Sequence, residues 1–224
     1  MNILLVAATP FEIAPTLKFL EKNFVNSGQT FKNGTVSVEI LVTGAGLLAT
    51  ATQLSLLLAR RRFDLVLNAG VAGSFTTKIP PGSVVEVISE TLGDFGVEER
   101  DGSFVPLFTM DWMDENAPPF VNGQLLNPTG SEFQFLPPAH GLTVQRVSGS
   151  AESIAATRRL FPEVQVESME SAAIFYVCAL VEQPFLAVRA ISNFVEPRNR
   201  ANWKLELAIN NLNEVLRQIL AGLE

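Results

Sequence analysis

The sequence is short of cysteine and histidine, and both shortages exclude kinds of chemistry. Its one cysteine, Cys178, rules out an internal disulfide, and the apolar residues around it predict a buried, unreactive thiol on a helix. Its one histidine, His140, cannot build a multi-histidine zinc site, so we expect no metal. His140 follows two prolines and is predicted to lie in an exposed loop. It would also suit a serine nucleophile, but the sequence has no Gly-x-Ser-x-Gly turn to present one.

Basic residues and long apolar runs are scarce as well. The chain has 16 Lys and Arg against 23 Asp and Glu, a net charge of −7, and a pI near 4.9. Because this charge is repelled by a nucleic-acid backbone or an anionic membrane, we expect a small-molecule partner. No apolar run approaches the roughly 20 residues that cross a bilayer, and the first six residues lack the basic start of a signal peptide. Both features predict a cytoplasmic location.

Short apolar runs that are typical of buried strands alternate with helical patterns. The predicted strands are 3–8, 36–43, 65–69, 83–88, 142–147 and 185–191, and the predicted helices are 11–24, 47–61, 152–161, 170–181 and a final helix from Leu205 to Leu223. This alternation predicts one α/β domain over residues 1–224, a three-layer α/β/α fold around a mixed, largely parallel twisted sheet. Between residues 111 and 139, five prolines break the pattern, which predicts a functional lid or binding loop.

Small and polar residues collect where the predicted strands end. They occur at 9–12, 44–46, 68–73, 148–150 and 192–193. Ligands in open α/β sheets bind outside the carboxyl ends of the strands, so these segments predict a ligand cleft.

Two glycine motifs have more than one interpretation. The run Gly44-x-Gly46-x-x-Ala49 formally matches a dinucleotide fingerprint, but the next strand ends at Asn68 rather than at an acid, so a tight turn with close helix packing is favoured. Gly70 and Gly73 are predicted to flank a loop whose backbone N–H groups face a ligand. A phosphate site there would also require arginines to bind the phosphate, and between residues 62 and 100 the only basic residue is a lysine. Water is therefore favoured over phosphate as the attacking group.

The order of these segments resembles the purine nucleoside phosphorylase and methylthioadenosine nucleosidase superfamily over nearly the whole chain. The matching segments are Glu12, 68–73, 147–150, 167–173 and 189–193. Within that superfamily, residues 192–200 followed by Trp203 resemble futalosine hydrolases. The nucleosidases that act on methylthioadenosine and adenosylhomocysteine have an aspartate where this chain has Asn193.

The resemblance implies roles for two carboxylates in cleaving a nucleoside C–N bond, which passes through an oxocarbenium-like sugar. Glu12 would orient and deprotonate the attacking water; alternatively, it only complements the dipole of its helix. Glu170, with Met169 before it, would bind the ribose hydroxyls; alternatively, it is an acid at a helix start. Glu167 is interpreted as a structural acid.

The resemblance also implies the groups that contact the substrate. The backbone at Val71, Ala72 and Gly73 and the segment containing Ser150 would bind it, without a cofactor. Asn193 would face the purine: its N–H₂ donates to O6 of a 6-oxopurine while its carbonyl accepts from N7–H, so hypoxanthine is favoured over adenine. Water would supply the N7 proton. The alternative is a hydrogen-bonded amide at a strand end.

Futalosine also carries a benzoate-bearing chain on its 5′ side. Arg198 and Arg200 would meet that carboxylate, or would instead be solvated or paired with Glu196. The segment 94–96 and the proline-rich segment would line the 5′ pocket, with Phe120 or Phe133 stacking on the ring.

The expected function is hydrolysis of futalosine to hypoxanthine and dehypoxanthine futalosine in menaquinone biosynthesis. The alternatives are another purine nucleosidase, a purine nucleoside phosphorylase, and a noncatalytic nucleoside-binding protein. A mean hydropathy of +0.26 predicts apolar surface covered by another subunit, and members of the superfamily are homo-oligomers.

Overall fold

The computed structural model describes residues 1–110, 112–127 and 136–223. Its strands are β1 (Asn2–Ala7), β2 (Val25–Ser27), β3 (Thr30–Asn33), β4 (Val36–Val42), β5 (Leu65–Ser74), β6 (Val84–Leu92), β7 (Gly96–Glu98), β8 (Phe104–Pro106), β9 (Phe120–Val121), β10 (Gln124–Leu126), β11 (Pro138–Thr143), β12 (Val166–Ser168) and β13 (Phe185–Phe194). Its α-helices are α1 (Pro10–Asn23), α2 (Leu47–Leu58), α3 (Ala151–Leu160), α4 (Ser171–Leu180) and α5 (Leu205–Gly222). Short 3₁₀ turns cover Leu107–Thr109 and Arg200–Asn202.

The alternation of side chains along the central strands divides the interior into two apolar cores. On β1, Leu4 and Val6 pack with α2 and α4, whereas Ile3 and Leu5 pack with α1 and α5 on the opposite face. Both faces of the sheet are therefore covered by helices. The predicted α/β class and the three-layer α/β/α arrangement are confirmed.

The sheet is mixed, with parallel pairing at its centre. Strands β4, β1, β5 and β13 pair in parallel in that order, and β11 pairs in parallel with both β6 and β12. Antiparallel pairs β13–β6 and β12–β5 join these two groups. Strands β5, β12, β11, β6 and β13 therefore close into a ring. Local hydrophobic patterns do not encode which strands pair, so the sequence predicted the sheet but not its closure.

The predicted helices are confirmed to within three residues at every end, but one predicted strand and one predicted loop were wrong. The predicted strand at 142–147 begins earlier, since β11 covers Pro138–Thr143 and pairs with β6 on one side and β12 on the other. His140 therefore lies in a strand rather than a loop; its side chain is exposed, and Nδ1 lies 2.7 Å from Ser89 Oγ. The predicted glycine loop at Gly70–Gly73 is strand, because β5 continues to Ser74 beside β13.

The structure also tests the predictions for Cys178 and for the proline-rich segment 111–139. Cys178 is buried on α4, as predicted, and burial raises the pKa of its thiol to about 12. The predicted lid region contains the hairpin β9–β10, which pairs with β6, and part of it lies outside the described residues.

Among described residues, no helix is long and apolar enough to cross a membrane. The same residues contain no group of three His, Cys, Asp or Glu side chains that could hold a metal ion.

Candidate active site

Glu12 is held in place by hydrogen bonds from two directions. It lies in the first turn of α1 and is only 9% exposed. Its Oε2 accepts from the backbone N–H and hydroxyl of Thr9, at 2.9 and 3.0 Å, and its Oε1 accepts from the N–H of Val71 at 3.2 Å. A carboxylate has about four acceptor sites, so one remains for a further donor such as water. The helix-start role and a site role are therefore compatible.

Gly70 permits the close approach that this arrangement needs. A Cβ atom at Gly70 would lie 3.2 Å from Glu12 Oε1 and 3.6 Å from the guanidinium carbon of Arg189. Arg189 is the register partner of Gly70 on the adjacent strand β13. Because Gly70 has no side chain, the Glu12 carboxylate and the Arg189 guanidinium can both lie against this position of β5.

Glu170 is anchored by the second glycine motif. Its Oε1 accepts from the N–H of Gly46 at 2.8 Å, and Gly46 has a φ of +89°, a conformation that favours glycine. Burial raises the pKa of Glu170, and the negative charge of Glu12 raises it further, while the Gly46 hydrogen bond and Arg189 oppose the rise. The predicted tight turn at Gly44 and Gly46 is confirmed, and it also fixes a carboxylate 124 residues away.

Arg189 is a charged residue of the site that sequence reasoning missed. It is 2% exposed; its NH2 nitrogen donates to Asn68 Oδ1 at 2.6 Å and its NH1 nitrogen donates to the Val188 carbonyl at 2.9 Å. Burial lowers the pKa of Arg189, but the nearby charges of Glu170, Glu90 and Glu12 oppose that shift. The signal in the sequence was a lone arginine inside the apolar run of β13.

Asn193 lies on β13 opposite Gly73 of β5. Its Oδ1 accepts from the hydroxyl of Ser192 at 2.7 Å, and its Nδ2 donates to the carbonyl of Phe194 at 2.8 Å. An amide has two acceptor sites and two donor hydrogens, so one of each remains for a ligand. Asn193 lines a cavity of about 70 Å³ together with Gly73, Val147, Ser148, Glu167, Phe194, Val195, Glu196, Arg198, Asn199 and Trp203.

Glu167 faces the same cavity, although the sequence suggested only a structural acid. Its side chain is 5% exposed. Ser148 donates to it twice, from its backbone N–H at 3.2 Å and from its hydroxyl at 2.7 Å. Burial raises the pKa of Glu167, the charge of Asp94 raises it further, and the Ser148 hydrogen bonds oppose the rise.

The Glu12 cluster and the Asn193 cavity are neighbours along β5. Val71 contacts Glu12, and Gly73, two residues later, is paired with Asn193. Two residues of a strand span about 7 Å. The structure therefore brings Glu12 and Glu170 together around Arg189 and sets Asn193 in the adjoining cavity.

The two predicted arginines flank a tryptophan. The guanidinium carbons of Arg198 and Arg200 lie 5.4 and 6.0 Å from the centre of the Trp203 ring. Both side chains are exposed, and Arg198 lines the Asn193 cavity. Glu196 accepts from the amide of Asn202, and the ion pairs found among the described residues join other side chains. The alternative of an ion pair with Glu196 is therefore not supported.

Ser150, Met169 and Ala72 were also predicted to bind the substrate, and each lies in a different environment. Ser150 is exposed and caps α3, where its hydroxyl accepts from the N–H of Ser153 at 3.1 Å; the structure does not bring it to either cluster. Met169 is half-buried between β12 and Glu170. Ala72 is buried in β5, and its carbonyl accepts from the hydroxyl of Ser192.

An apolar cavity of about 290 Å³ adjoins the Glu170 side of the site. Leu47 follows Gly46 and Ala172 follows Glu170 by two residues, and both line the cavity. The other lining residues are Ala51, Leu92, Phe95, Met113, Phe120, Leu125, Ala173 and Tyr176. Two residues predicted for a 5′ pocket, Phe95 and Phe120, thus line the same cavity. A third, Phe133, lies outside the described residues.

These groups suit acid–base chemistry on a small polar molecule. A buried and a half-buried carboxylate beside a guanidinium can bind hydroxyls and accept a proton from water. An amide at the adjoining cavity can bind a heterocycle by one donor and one acceptor.

Comparison with known proteins agrees with this chemistry. Residues 2–221 match the sequence family described as the phosphorylase superfamily. A futalosine hydrolase from Streptomyces coelicolor is 31% identical over 166 residues, which cover 73% of this chain and 68% of that protein. A 5′-methylthioadenosine/S-adenosylhomocysteine nucleosidase from Colwellia psychrerythraea is 28% identical over 216 residues, which cover 91% of this chain and 88% of that protein.

Solved structures share the fold. A futalosine hydrolase mutant of Helicobacter pylori strain 26695 superimposes with a TM-score of 0.77 at 16% identity, covering 99% of both chains. A 5′-methylthioadenosine/S-adenosylhomocysteine nucleosidase from Neisseria meningitidis, in complex with methylthio-immucillin-A, gives a TM-score of 0.76 at 20% identity and covers 98% of both chains. The chain therefore belongs to the phosphorylase superfamily, as one of its N-glycosyl hydrolases.

Proposed function

We propose that this enzyme hydrolyses the N-glycosidic bond of futalosine, releasing hypoxanthine and dehypoxanthine futalosine for menaquinone biosynthesis. The observation that carries the proposal is Asn193, an uncharged amide with one donor and one acceptor free at the cavity beside the two carboxylates. A 6-oxopurine presents O6 as an acceptor and, as the bond breaks, N7–H as a donor. The amide matches both groups.

Glu12 acts on the nucleophile in this proposal. Its carboxylate is fixed by Thr9 and Val71 and retains an acceptor site for one water hydrogen. As the C–N bond lengthens, the ribose gains positive charge, and Glu12 takes the proton of the water that attacks the anomeric carbon. The proton that the purine needs at N7 comes from water, because an amide has no acidic proton to give.

Glu170 acts on the ribose. Gly46 holds one oxygen, and the carboxylate has further acceptor sites for the 2′- and 3′-hydroxyls. Its negative charge also favours the positive charge that develops on the sugar. The positive charge of Arg189 lies near both Glu170 and Glu12 and offsets part of the repulsion between the two carboxylates.

The 5′ side of the substrate suits the apolar cavity next to Glu170. The aromatic rings of Phe95, Phe120 and Tyr176 offer surfaces for the benzoate ring. Arg198 and Arg200 are the candidates for its carboxylate, since a guanidinium binds a carboxylate through two parallel hydrogen bonds.

A second candidate is a nucleosidase that acts on methylthioadenosine or adenosylhomocysteine. Two observations favour it: the similarity to such an enzyme covers more of the chain, and the apolar cavity also suits a thioether substituent. Asn193 counts against it, because an adenine leaving group gains most from an acid that can donate its proton to N7.

A substrate panel tests the proposal. The enzyme is incubated with futalosine, inosine, methylthioadenosine and adenosylhomocysteine, each with and without phosphate, and the released base is measured by chromatography. We expect hypoxanthine from futalosine at a rate that phosphate does not change. Faster release of adenine from methylthioadenosine supports the second candidate, and turnover of inosine only with phosphate supports a phosphorylase.

We also infer that the enzyme assembles with copies of itself. Large apolar side chains are exposed on the helices α2 and α4, which pack against each other; they include Leu48 at 80% and Leu180 at 55% exposure. Val121 and Leu126 of the neighbouring β9–β10 hairpin are exposed as well. Several large exposed apolar side chains on neighbouring elements are typical of a subunit interface.

A further inference from the structure

We propose that Glu167 selects the purine: its ionised carboxylate accepts the N1–H of a 6-oxopurine and repels the N1 lone pair of a 6-aminopurine. The inference rests on the proposed function, since it concerns the base of the same substrate. It replaces the interpretation of Glu167 as a purely structural acid.

Glu167 and Asn193 lie on opposite sides of one glycine. Gly73 pairs with Glu167 of β12 on one side and with Asn193 of β13 on the other. Residues that are in register across neighbouring strands project to the same face of a sheet. The carboxylate and the amide therefore face one cavity, from strands that are about 10 Å apart.

Gly73 keeps the space between these two groups open. A Cβ atom there would lie 2.9 Å from Val195 Cγ2 and 3.4 Å from Asn193 Nδ2. The φ of Gly73 is not in the left-handed region, so backbone conformation does not require glycine at this position. Close packing does require it, which is expected where a flat ring lies across the strand.

The carboxylate of Glu167 has acceptor capacity left over. Its hydrogen bonds within the protein come from the backbone N–H and hydroxyl of Ser148. A carboxylate accepts about four hydrogen bonds, and a buried one is costly unless those sites are filled. A donor from the ligand would fill a site that opens toward the cavity.

The two side chains differ in what they can discriminate. The amide of Asn193 offers one donor and one acceptor and contacts the O6 and N7 edge of the base. An ionised carboxylate offers acceptors alone. Hypoxanthine carries a hydrogen on N1 and adenine does not, so Glu167 reads a second position of the base that Asn193 does not contact. A site that hydrogen-bonds a substrate N–H rejects an analogue that lacks it much more strongly than an apolar pocket does.

The test compares futalosine with its 6-amino counterpart, which has the same sugar and the same 5′ chain. The measured quantity is the ratio of kcat/KM for the 6-oxo substrate over the 6-amino substrate, in the wild type and in Glu167→Gln. A glutamine can accept or donate at N1, so we expect this ratio to fall by about tenfold or more. The control is Glu163→Gln, an exposed glutamate, which should leave the ratio unchanged.

The outcomes separate this inference from the proposed function. If the wild type prefers the 6-oxo substrate and Glu167→Gln slows both substrates equally, the inference is overturned while the proposed function stands. If the wild type does not cleave futalosine, the proposed function fails, and binding of the free bases decides the inference. Calorimetry should then give tighter binding of hypoxanthine than of adenine in the wild type and a smaller difference in Glu167→Gln; an unchanged difference overturns it.

If Glu167→Gln fails to fold, a second variant tests the same inference. Ser148→Ala removes the hydroxyl that donates to Glu167 Oε2 and leaves the carboxylate in place but less fixed. We expect the same ratio to fall about threefold, as for the loss of one hydrogen bond. An unchanged ratio in a folded Ser148→Ala protein, shown by an unaltered thermal transition, contradicts the inference.

Discussion

Glu12, Glu170 and Arg189 form a small cluster of charges in which the guanidinium offsets the repulsion between the two carboxylates. Glu12 and Glu170 are negative and close enough to affect each other, and Arg189 lies near both. Removal of one of these charges therefore alters the electrostatic free energy of the remaining ones. A substitution that keeps size and hydrogen bonding is the informative one.

We predict that Glu12→Gln lowers kcat by about 10²- to 10⁴-fold, because the amide cannot take a proton from water. The amide oxygen of the new side chain can still accept hydrogen bonds, so substrate binding should change little. Steady-state kinetics with futalosine measures the first effect, and calorimetry with the substrate measures the second. Glu21→Gln, an exposed position on the same helix, is the control. Retention of wild-type kcat in Glu12→Gln would show that another group activates water.

The sequence singled out Glu12, Glu170 and Asn193 because each belongs to a local motif, and the structure brings the three to adjoining positions. The sequence missed the contacts that link distant segments. Gly46 holds Glu170 across 124 residues, and Arg189 reaches Asn68 across 121. The sequence could not show that Glu167 lines a cavity, since that cavity exists only once β12, β5 and β13 are paired.

At the level of secondary structure, helix α5 fixes the backbone of α1 around Glu12. Asn213 of α5 is fully buried; its Oδ1 accepts from the N–H of Thr16 at 2.9 Å, and its Nδ2 donates to the carbonyl of Glu12 at 2.8 Å. These are the two backbone groups, four residues apart, that an uninterrupted helix bonds to each other. The amide thus ties the backbone of Glu12 to α5.

We predict that Asn213→Leu lowers the free energy of unfolding by about 2 kcal/mol, because it leaves the buried Thr16 hydroxyl without its acceptor. The loss of the Glu12 anchor should also reduce kcat. Urea unfolding and steady-state kinetics measure the two effects. The matched control is Asn210→Leu on the exposed side of the same helix, which should change both values little. Equal stability of the two variants would contradict the role given to Asn213.

Helix positions followed from the sequence better than strand positions did. Helices carry their own signals, such as the Thr9 and Ser150 caps and the apolar stripe of α5. A strand is defined by its partners, so β5 extends through Gly70 and Gly73 only because β13 lies beside it. The error at β11 has the same cause.

The molecule also buries ionisable side chains of its central strands. Glu90 of β6 is fully buried; burial raises its pKa to about 7, although Thr143 donates to it and Arg189 is near. An unfolded glutamate titrates near 4.5. Between those pH values the folded protein holds a proton that the unfolded chain releases. Stability therefore falls as the pH rises through this window.

We predict a loss of about 3 kcal/mol in the free energy of unfolding between pH 4.5 and pH 7 from Glu90 alone. Glu167 and Glu170, whose pKa values are also raised, act in the same direction. Glu90→Gln should remove most of the Glu90 contribution, as measured by urea unfolding at several pH values. Glu98→Gln, at an exposed position, should keep the wild-type slope. An unchanged slope in Glu90→Gln would mean that Glu90 is ionised throughout.

The exposed apolar faces of α2 and α4 predict self-association. Light scattering should give the wild type a mass that is a multiple of 24.4 kDa. Leu48→Glu and Leu180→Glu place charge on these faces and should shift the mass toward one chain. Leu207→Glu, at a 46% exposed leucine of α5, should not. A monomeric wild type would contradict the prediction.

The most direct test of the account follows the oxygen that ends on the sugar. Futalosine is cleaved in water enriched in ¹⁸O, in the presence and absence of phosphate, and the mass of the sugar product is measured by mass spectrometry. If Glu12 activates water for attack, the sugar product carries one ¹⁸O at the anomeric carbon both with and without phosphate. The amount of hypoxanthine released is then the same in the two reactions. A sugar 1-phosphate, or release of base that requires phosphate, would contradict the account.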